Sequence, residues 1–298
     1  MNRTKHIIEA PINLGLKEPV PGREPGVATL PAWLRQHGLY DYISPKTVLT
    51  IEPPSYQWVP DPESGVNNTE AIIRYARQLA HAVASKVSQH GFPVVIGGDC
   101  SILIGTMLGL KKVGTYGLFF LDGHTDFMGP ELSETGGAAG MDLAIVTGYG
   151  HHTLTNIDHQ QPYVKETLVW CVGNREYNAS YVQAIKDSHV HYESLASLRE
   201  QGALACVRQF LAMMEASPLR GFWIHVDVDV LSDEVMPAVD SRQPGGLSYP
   251  EFNVLLKTLL QSEQAAGLQI TILDPTLDPS GEITDQFIRN IGPIIAEL

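Results

Sequence analysis

The 298-residue sequence has few cysteines, few basic residues and no long apolar segment. Its three cysteines, Cys100, Cys171 and Cys206, are too few and too far apart for a disulfide framework, which favours a reducing cytoplasm. Lys and Arg number 20 against 33 Asp and Glu, and this net charge of −13 argues against nucleic acid or an anionic membrane as main partner. No apolar run reaches the roughly 18 residues that span a membrane, and the first residues lack a signal-peptide-like stretch. We therefore expect a cytoplasmic protein without a nucleic-acid or membrane partner.

The sequence does contain a regular alternation of short apolar runs and amphipathic stretches. The apolar runs predict strands at 7–11, 93–96, 117–121, 168–172, 222–230 and 268–273. The helical periodicity predicts helices at 31–37, 69–90, 101–112, 179–186, 195–215, 250–261 and 283–297. Such alternation indicates a parallel sheet covered on both faces, with ligands at the carboxyl ends of the strands. Because no linker interrupts the pattern, we expect one α/β domain over residues 1–298.

Polar residues follow the predicted strand 117–121 at every second position. Asp122, His124 and Asp126 would point to the same side of an extended chain and could converge on one point. Two carboxylates and an imidazole suit a divalent ion such as Mn²⁺ or Zn²⁺. Taken alone, the motif also fits three polar residues that leave a strand for solvent, with Asp122 only capping a turn.

A second set, in segment 222–230, alternates strictly and places His225, Asp227 and Asp229 opposite three valines. Because the valines require a core, both carboxylates would be buried near the end of a central strand. Such burial costs several kcal/mol per ion unless a cation compensates, and no Lys or Arg lies between residues 222 and 241. Carboxylates that bridge two metal ions are therefore favoured over an edge strand that faces water. His225 would share their face, which makes it a candidate catalytic or ligand-supporting residue.

The third strand end, residues 97–101, adds Cys100 in a glycine-containing turn before a helix. Cys100 could point into the same site, where a thiolate would favour Zn²⁺ or Fe²⁺. A small buried residue in a tight turn is the alternative interpretation of Cys100.

The three motifs, Gly-Gly-Asp-Cys-Ser at 97–101, Asp-Gly-His-Thr-Asp at 122–126 and His-Val-Asp-Val-Asp at 225–229, resemble the signatures of the ureohydrolase superfamily, which includes arginase, agmatinase and formimidoylglutamase. The resemblance covers nearly the whole chain. It implies a single-domain, three-layer arginase-like α/β fold with a mostly parallel eight-stranded sheet, a binuclear manganese centre and a homo-oligomer, a trimer or a hexamer. One ion would be held by Cys100, Asp122, Asp126 and Asp227. The other would be held by His124, Asp122, Asp227 and Asp229.

The resemblance also implies hydrolysis of a C–N bond in a guanidino or amidino compound. Two divalent ions about 3.5 Å apart would lower the pKa of a bridging water, and Asp126 would accept a hydrogen bond from this nucleophile and orient it. The positions that contact arginine in arginases carry Met128, Thr135 and Asn178 here. The net charge of −13 fits a small cationic substrate. Because the arginine-contact positions mostly differ from those of arginases, C–N hydrolysis is better supported than arginase activity itself.

Three further positions depart from the family pattern. Cys100 stands where the family usually has His, as in some relatives that act on N-hydroxyarginine, which makes this compound a candidate substrate. Ala139 replaces a His that is thought to shuttle protons, and Ile272 falls where the family has a guanidinium-binding Glu. What replaces the shuttle is left open.

Two other functions remain compatible with these motifs. A deacetylase-like hydrolase would hold one Zn²⁺ on Asp122, His124 and Asp227, although no tandem His precedes the metal motif to act as acid and base. A catalytically degenerate protein would bind metal without turnover. The number of ions per chain and the turnover of guanidino compounds distinguish these alternatives.

Overall fold

The computed structural model describes residues 3–298, and its strands lie where the main apolar runs predict them. Residues 1–2 of the predicted 1–298 domain lie outside the described residues. The strands are β1 (Lys5–Ala10), β2 (Thr47–Thr50), β3 (Phe92–Gly97), β4 (Tyr116–Leu121), β5 (Val169–Asn174), β6 (His191–Ser194), β7 (Gly221–Asp227) and β8 (Ala265–Thr271). They form one sheet in the order β2-β1-β3-β8-β7-β4-β5-β6, in which each of the seven pairings is parallel.

The helices form two packed groups around this sheet. They are α1 (Leu30–Gln36), α2 (Leu39–Ile43), α3 (Thr69–Ser88), α4 (Ile102–Val113), α5 (Asp142–Thr147), α6 (His152–Thr155), α7 (Ala179–Lys186), α8 (Leu195–Gln201), α9 (Ala203–Glu215), α10 (Tyr249–Gln261) and α11 (Glu282–Ala296). Helix α4 packs against α3 and α5, whereas α10 packs against α9 and α11, and α11 against α2. One parallel sheet between helices confirms the predicted α/β fold. Within residues 3–298, no helix is long and apolar enough to cross a membrane.

The order of the strands places four chemically important strand ends side by side. Strands β3, β8, β7 and β4 are consecutive neighbours in the sheet. Because they are parallel, their carboxyl ends lie at the same edge. Strand β7 is central and buried along its whole length, so the alternative of a water-facing edge strand is wrong.

Glycine allows the turn after β3 to carry Cys100 toward this edge. A Cβ at Gly98 would lie 1.7 Å from the backbone oxygen of Ile12, so only glycine fits there. Asp99 then accepts hydrogen bonds from the backbone N–H groups of Gly15 (2.9 Å) and Ser101 (2.8 Å), which holds the turn before α4.

Two predicted boundaries are wrong for physical reasons. The strand predicted over 222–230 ends at Asp227, and Val228–Val230 forms a 3-10 turn, because the Asp227 side chain accepts a hydrogen bond from the backbone N–H of Asp229. The helix predicted over 195–215 is two helices separated at Gly202, whose φ of 88° no helix accommodates. The edge strands β2 and β6 have four residues each, and β2 is exposed whereas β6 is mostly half-buried, so they carry no apolar pattern that predicts them.

Candidate metal centre

Five of the predicted ligands converge at the shared strand edge. Donor atoms of Cys100, Asp122 and Asp227 lie within 4.8 Å of one another, and so do those of Asp122, His124 and Asp229. Cys100 Sγ is 2.8 Å from Asp227 Oδ2. His124 Nδ1 is 2.8 Å from Asp229 Oδ2 and 3.8 Å from Asp122 Oδ1. Asp122 belongs to both sets, as expected of a residue that bridges two ions.

Backbone hydrogen bonds hold the carboxylates in these positions. Asp122 Oδ1 accepts from the backbone N–H of His124 at 2.6 Å, and Asp229 Oδ1 accepts from that of Gly123 at 2.9 Å. Asp227 Oδ1 accepts from the backbone N–H of Asp229 at 2.8 Å. The loops after β4 and β7 are thus tied together by the side chains that form the site.

The site is strongly acidic and almost dry. Burial raises the pKa of Asp122 and of Asp227 well above the ordinary value, and the neighbouring carboxylates add to both rises. Burial alone would lower the pKa of His124, but the charge of Asp229 overcomes it and raises that pKa to about 10. Reciprocally, although burial opposes the change, His124 lowers the pKa of Asp229. The structure therefore concentrates negative charge that one imidazolium does not balance.

The sequence analysis found no basic residue near Asp227 and Asp229, but the fold supplies one from another strand. Arg175, just after β5, donates from Nη2 to the backbone oxygen of Asp229 at 2.8 Å. Its charge also lowers the pKa of Asp229. Within residues 3–298, the Arg175 side chain donates to the backbone oxygens of Asp229 and Gln243 and to neither carboxylate of Asp122 and Asp227, which it therefore leaves unpaired.

The donor set fits divalent metal ions. Asp122 is fully buried, and its Oδ2 has no hydrogen-bond partner in the described part of the chain. A buried carboxylate oxygen without a partner is rare and expensive, since nothing replaces its hydration. Carboxylate, imidazole and thiolate donors around it are metal ligands. A cation at this point would interact with Asp122 Oδ2, the carboxylate oxygen that has no hydrogen-bond partner.

A cavity of about 490 Å³ opens onto these ligands, and its lining includes Asp126 and all three predicted substrate positions, Met128, Thr135 and Asn178. Asp126 is 8% exposed, and burial raises its pKa to about 7 although His124 opposes this rise. Within residues 3–298, Asp126 does not belong to either set of close donor atoms. It lies instead in the cavity wall, next to the ligands.

The predicted substrate positions differ in how free their side chains are. The Asn178 side chain caps α7, because its Oδ1 accepts from the backbone N–H of Ser180 at 2.9 Å. Met128 is half-buried and Thr135 is exposed. Ala139 and Ile272 also line the cavity, and Ile272 adopts a φ of 76°, which is unusual for a β-branched residue.

His225 lies behind the ligands and is fully buried. Its ring stacks on Phe120 with centroids 4.4 Å apart, and its Nδ1 is 2.6 Å from Gln269 Nε2. It is not among the residues that line the cavity in the described structure. His225 therefore cannot contact substrate directly, but it can contact a metal-ligating side chain.

Sequence reasoning missed the acids at the cavity wall. Glu134, Glu176 and Asp240 line the cavity together with the predicted residues. They lie in loops after β4, β5 and β7, and no periodicity distinguishes them from solvated surface acids. Their loops do follow strand ends at the binding edge, which is the one signal that could have found them.

Comparisons with known proteins agree with this architecture and site. A family model described as the Arginase family matches residues 16–292. The arginase of Brevibacillus brevis is 30% identical over 210 residues, which are 70% of each chain. The arginase of Staphylococcus aureus is 26% identical over 236 residues, 79% of this chain and 78% of the relative. The solved structure of Bacillus caldovelox arginase has the same fold, with a TM-score of 0.88 at 24% identity over 99% of this chain and 98% of that one.

The family match extends over the strand ends that hold Cys100, Asp122, His124, Asp227 and Asp229, whose donor atoms the fold brings together. The resemblance inferred from the three motifs is confirmed. The chain belongs to the arginase family, within the ureohydrolase superfamily.

Proposed function

We propose that this chain uses two divalent metal ions to hydrolyse a C–N bond of a small cationic guanidino or amidino compound. Membership of the arginase family makes the chain a metal-dependent hydrolase of this class. The observation that carries the proposal is the convergence of two overlapping donor sets, joined at Asp122, at the base of an acidic cavity.

The ligands divide between two ions. Cys100, Asp122 and Asp227 would hold the first ion, and Asp122, His124 and Asp229 would hold the second. By resemblance to the family, Asp126 would join the first set and Asp227 would also reach the second ion. Bound ions would supply an activated water at neutral pH and electrostatic stabilisation of the transition state. The family typically uses Mn²⁺, but the thiol of Cys100 is a softer donor than the other ligands. Zn²⁺ and Fe²⁺ are therefore the alternatives to Mn²⁺ at the first position.

Asp126 is the residue proposed to handle the proton. It lines the cavity and is 8% exposed, so its carboxylate can accept a hydrogen bond from the attacking water and hold it in line. Ala139 lines the same wall and has no titratable group. The proton therefore leaves through Asp126 or solvent in the cavity rather than through residue 139.

The wall of the cavity selects the substrate. Glu134, Glu176 and Asp240 line the cavity together with the acidic ligands and outnumber its two basic residues, Lys17 and Arg242, so the lining attracts a cation. Ile272 presents an apolar side chain to the cavity, where by resemblance a carboxylate would hold the guanidinium. We therefore propose a substrate whose binding depends on the wall acids. N-hydroxyarginine is a candidate.

The direct test is turnover of a guanidino panel by the full chain loaded in turn with Mn²⁺, Zn²⁺ and Fe²⁺, read as urea or hydroxyurea release. We expect release from at least one compound and two ions per chain by elemental analysis. One ion per chain would support the deacetylase-like alternative. Two ions without turnover on any guanidino or amidino compound would support the degenerate metal-binding alternative.

By resemblance to the family we further propose that residues 1–298 act as one domain and assemble into a trimer or hexamer in the cytoplasm. Sedimentation equilibrium of the metal-loaded chain tests the assembly. A monomer at micromolar concentration would contradict this part of the proposal without affecting the metal centre.

A further inference from the structure

A second set of buried donors adjoins the metal centre at Cys100. Donor atoms of Cys100, Asp142 and His225 lie within 4.8 Å of one another, and none of the three side chains is more than 1% exposed. Within residues 3–298, neither carboxylate oxygen of Asp142 has a hydrogen-bond partner, and His225 Nε2 has none either. Native proteins rarely leave three buried polar atoms unsatisfied in one place, so this cluster requires an explanation.

A hydrogen-bond relay determines which nitrogen of His225 carries the proton. The indole N–H of Trp223 can only donate, and it donates to Gln269 Oε1 at 3.0 Å. The amide nitrogen of Gln269 must then face His225 Nδ1, 2.6 Å away, and donate to it. His225 Nδ1 is therefore an acceptor, and the proton of the neutral ring sits on Nε2.

This tautomer excludes His225 as a metal ligand and makes it a donor. Nε2 has no free electron pair while it carries the proton, and Nδ1 is occupied by Gln269. Because Nδ1 accepts a hydrogen bond, the ring carries a single N–H and is neutral, so it does not compensate a carboxylate. Stacking on Phe120 at an interplanar angle of 6° keeps the ring in place. Its N–H thus points into the cluster as a fixed dipole.

Asp142 is left as a buried acid without a cation. It is the first residue of α5 and is fully buried, and the carboxylates that act on it at close range are those of residues 99, 126 and 227. An isolated ionised carboxylate in such surroundings is strongly unfavourable. The thiol of Cys100, in the same cluster, is already a candidate ligand of the first ion. A cation bound by both Cys100 and Asp142 would offset the free-energy cost of burying the Asp142 carboxylate.

We propose that Asp142 is a further ligand of the first metal ion, beside Cys100, and that His225 is a positioning residue whose Nε2–H would donate to the Asp142 carboxylate when the ion is bound, since the two groups lie close but make no hydrogen bond in this structure. The inference rests on the metal centre of the proposed function. Ligating carboxylates are themselves commonly hydrogen-bonded by neighbouring residues, and the relay Trp223–Gln269–His225 provides such support. A thiolate with an added carboxylate makes the first position softer and more negative than the second, which favours Zn²⁺ or Fe²⁺ there.

Cobalt titration of the full chain, stripped of metal, tests this assignment. Co²⁺ bound to a thiolate gives a near-ultraviolet charge-transfer band, so Cys100 reports on the first ion. We expect Cys100→Ser to lose the band and Cys206→Ser, a matched buried cysteine on α9, to keep it. We expect Asp142→Asn to weaken Co²⁺ binding at this position at least 10-fold, and His225→Phe about 10-fold.

Thermal unfolding separates a ligand from a structural residue. If Asp142 is a ligand, the metal-free Asp142→Asn chain will melt at the same or a higher temperature than the parent, because a buried charge is gone. Co²⁺ will then raise the Tm of this variant less than it raises the Tm of the parent. Asp142→Ala provides the same comparison should the Asn variant not fold. The proposal is overturned if Asp142 variants bind Co²⁺ with parental affinity and an unchanged spectrum, or if Cys100→Ser keeps the band.

These outcomes are independent of turnover. Cobalt binding that depends on Asp142 would support the ligand assignment even if no guanidino compound reacts. Conversely, an active hydrolase whose cobalt binding ignores Asp142 would contradict this assignment alone.

Discussion

Removal of the metal ions should lower the stability of the fold by an amount that reflects two sites. The four carboxylates of Asp122, Asp126, Asp227 and Asp229 are at most 8% exposed. A ligand that binds only the native state stabilises it by about 2.7 kcal/mol at 100 times its Kd, so two filled sites should contribute roughly 5 kcal/mol. For 298 residues, an unfolding entropy of about 2.1 cal/mol/K per residue makes each kcal/mol worth roughly 1.6 °C of Tm, which predicts a shift of about 8 °C.

The assay is differential scanning calorimetry of the chelator-treated chain titrated with Mn²⁺, and separately with Zn²⁺. Asp229→Asn should retain about half of the shift, because Asp229 belongs to the donor set with His124 but not to the set with Cys100. Asp41→Asn, an exposed acid on α2, is the matched control and should retain all of it. A Tm that none of Mn²⁺, Zn²⁺ and Co²⁺ changes would refute the metal centre. An undiminished shift in Asp229→Asn would refute the assignment to two sites.

Three further predictions concern single acids. Asp126→Asn should lower kcat at least 100-fold while elemental analysis still finds metal, because Asp126 orients the attacking water. Asp240→Asn should raise KM for the cationic substrate about 10-fold with little change in kcat, since Asp240 lines the cavity wall. Glu251→Gln keeps the capping box of α10 but loses the charge that faces Arg199, so it should lower the unfolding free energy by about 1 kcal/mol at neutral pH.

The last of these has a defined pH dependence. Arg199 chiefly, with hydrogen bonds from Ser248, holds the pKa of Glu251 at about 2, below its unfolded value, although burial opposes this shift. A lowered pKa contributes stability above the unfolded pKa and loses it as pH falls toward the folded one. The difference between parent and Glu251→Gln should therefore be constant from pH 6 to 8, measured by urea unfolding, and shrink below pH 4.5. A difference that grows in acid would contradict the sign of this reasoning.

Unchanged turnover in Asp126→Asn would remove the proton-handling role of Asp126. For Asp240→Asn, an equal fall in kcat would show that the residue acts on the transition state rather than on binding. Asp41→Asn again serves as the control for both, because it removes one acidic charge far from the cavity lining in the described structure.

Local pattern predicted the parts of the site that depend on neighbouring positions in one strand. Alternation after β4 placed Asp122 and His124 on one side, and both contribute to a common donor set. The same reasoning predicted Asp229 correctly as a donor but for the wrong reason, because Asp229 lies in a 3-10 turn and not in a strand. Asp229 still lies at the site because the Asp227 side chain accepts a hydrogen bond from its backbone N–H and so closes the turn.

The residues that sequence reasoning missed owe their roles to distant neighbours. Asp142 follows a long loop and begins a helix, where an acid is ordinarily explained by the helix dipole. Only the packing of α5 places it beside Cys100 and His225. Arg175 reaches Asp229 from the end of a different strand, 54 residues away in the chain.

The sequence by itself determined the strand–helix alternation and the chemical types of the ligands, because both are written in the periodicity and identity of adjacent residues. The tertiary structure alone decided which strand ends are neighbours, which acids surround the cavity and which buried carboxylate lacks a partner. Those features depend on the order of strands in the sheet and on side-chain packing, and both are set by contacts between residues that are far apart in the chain.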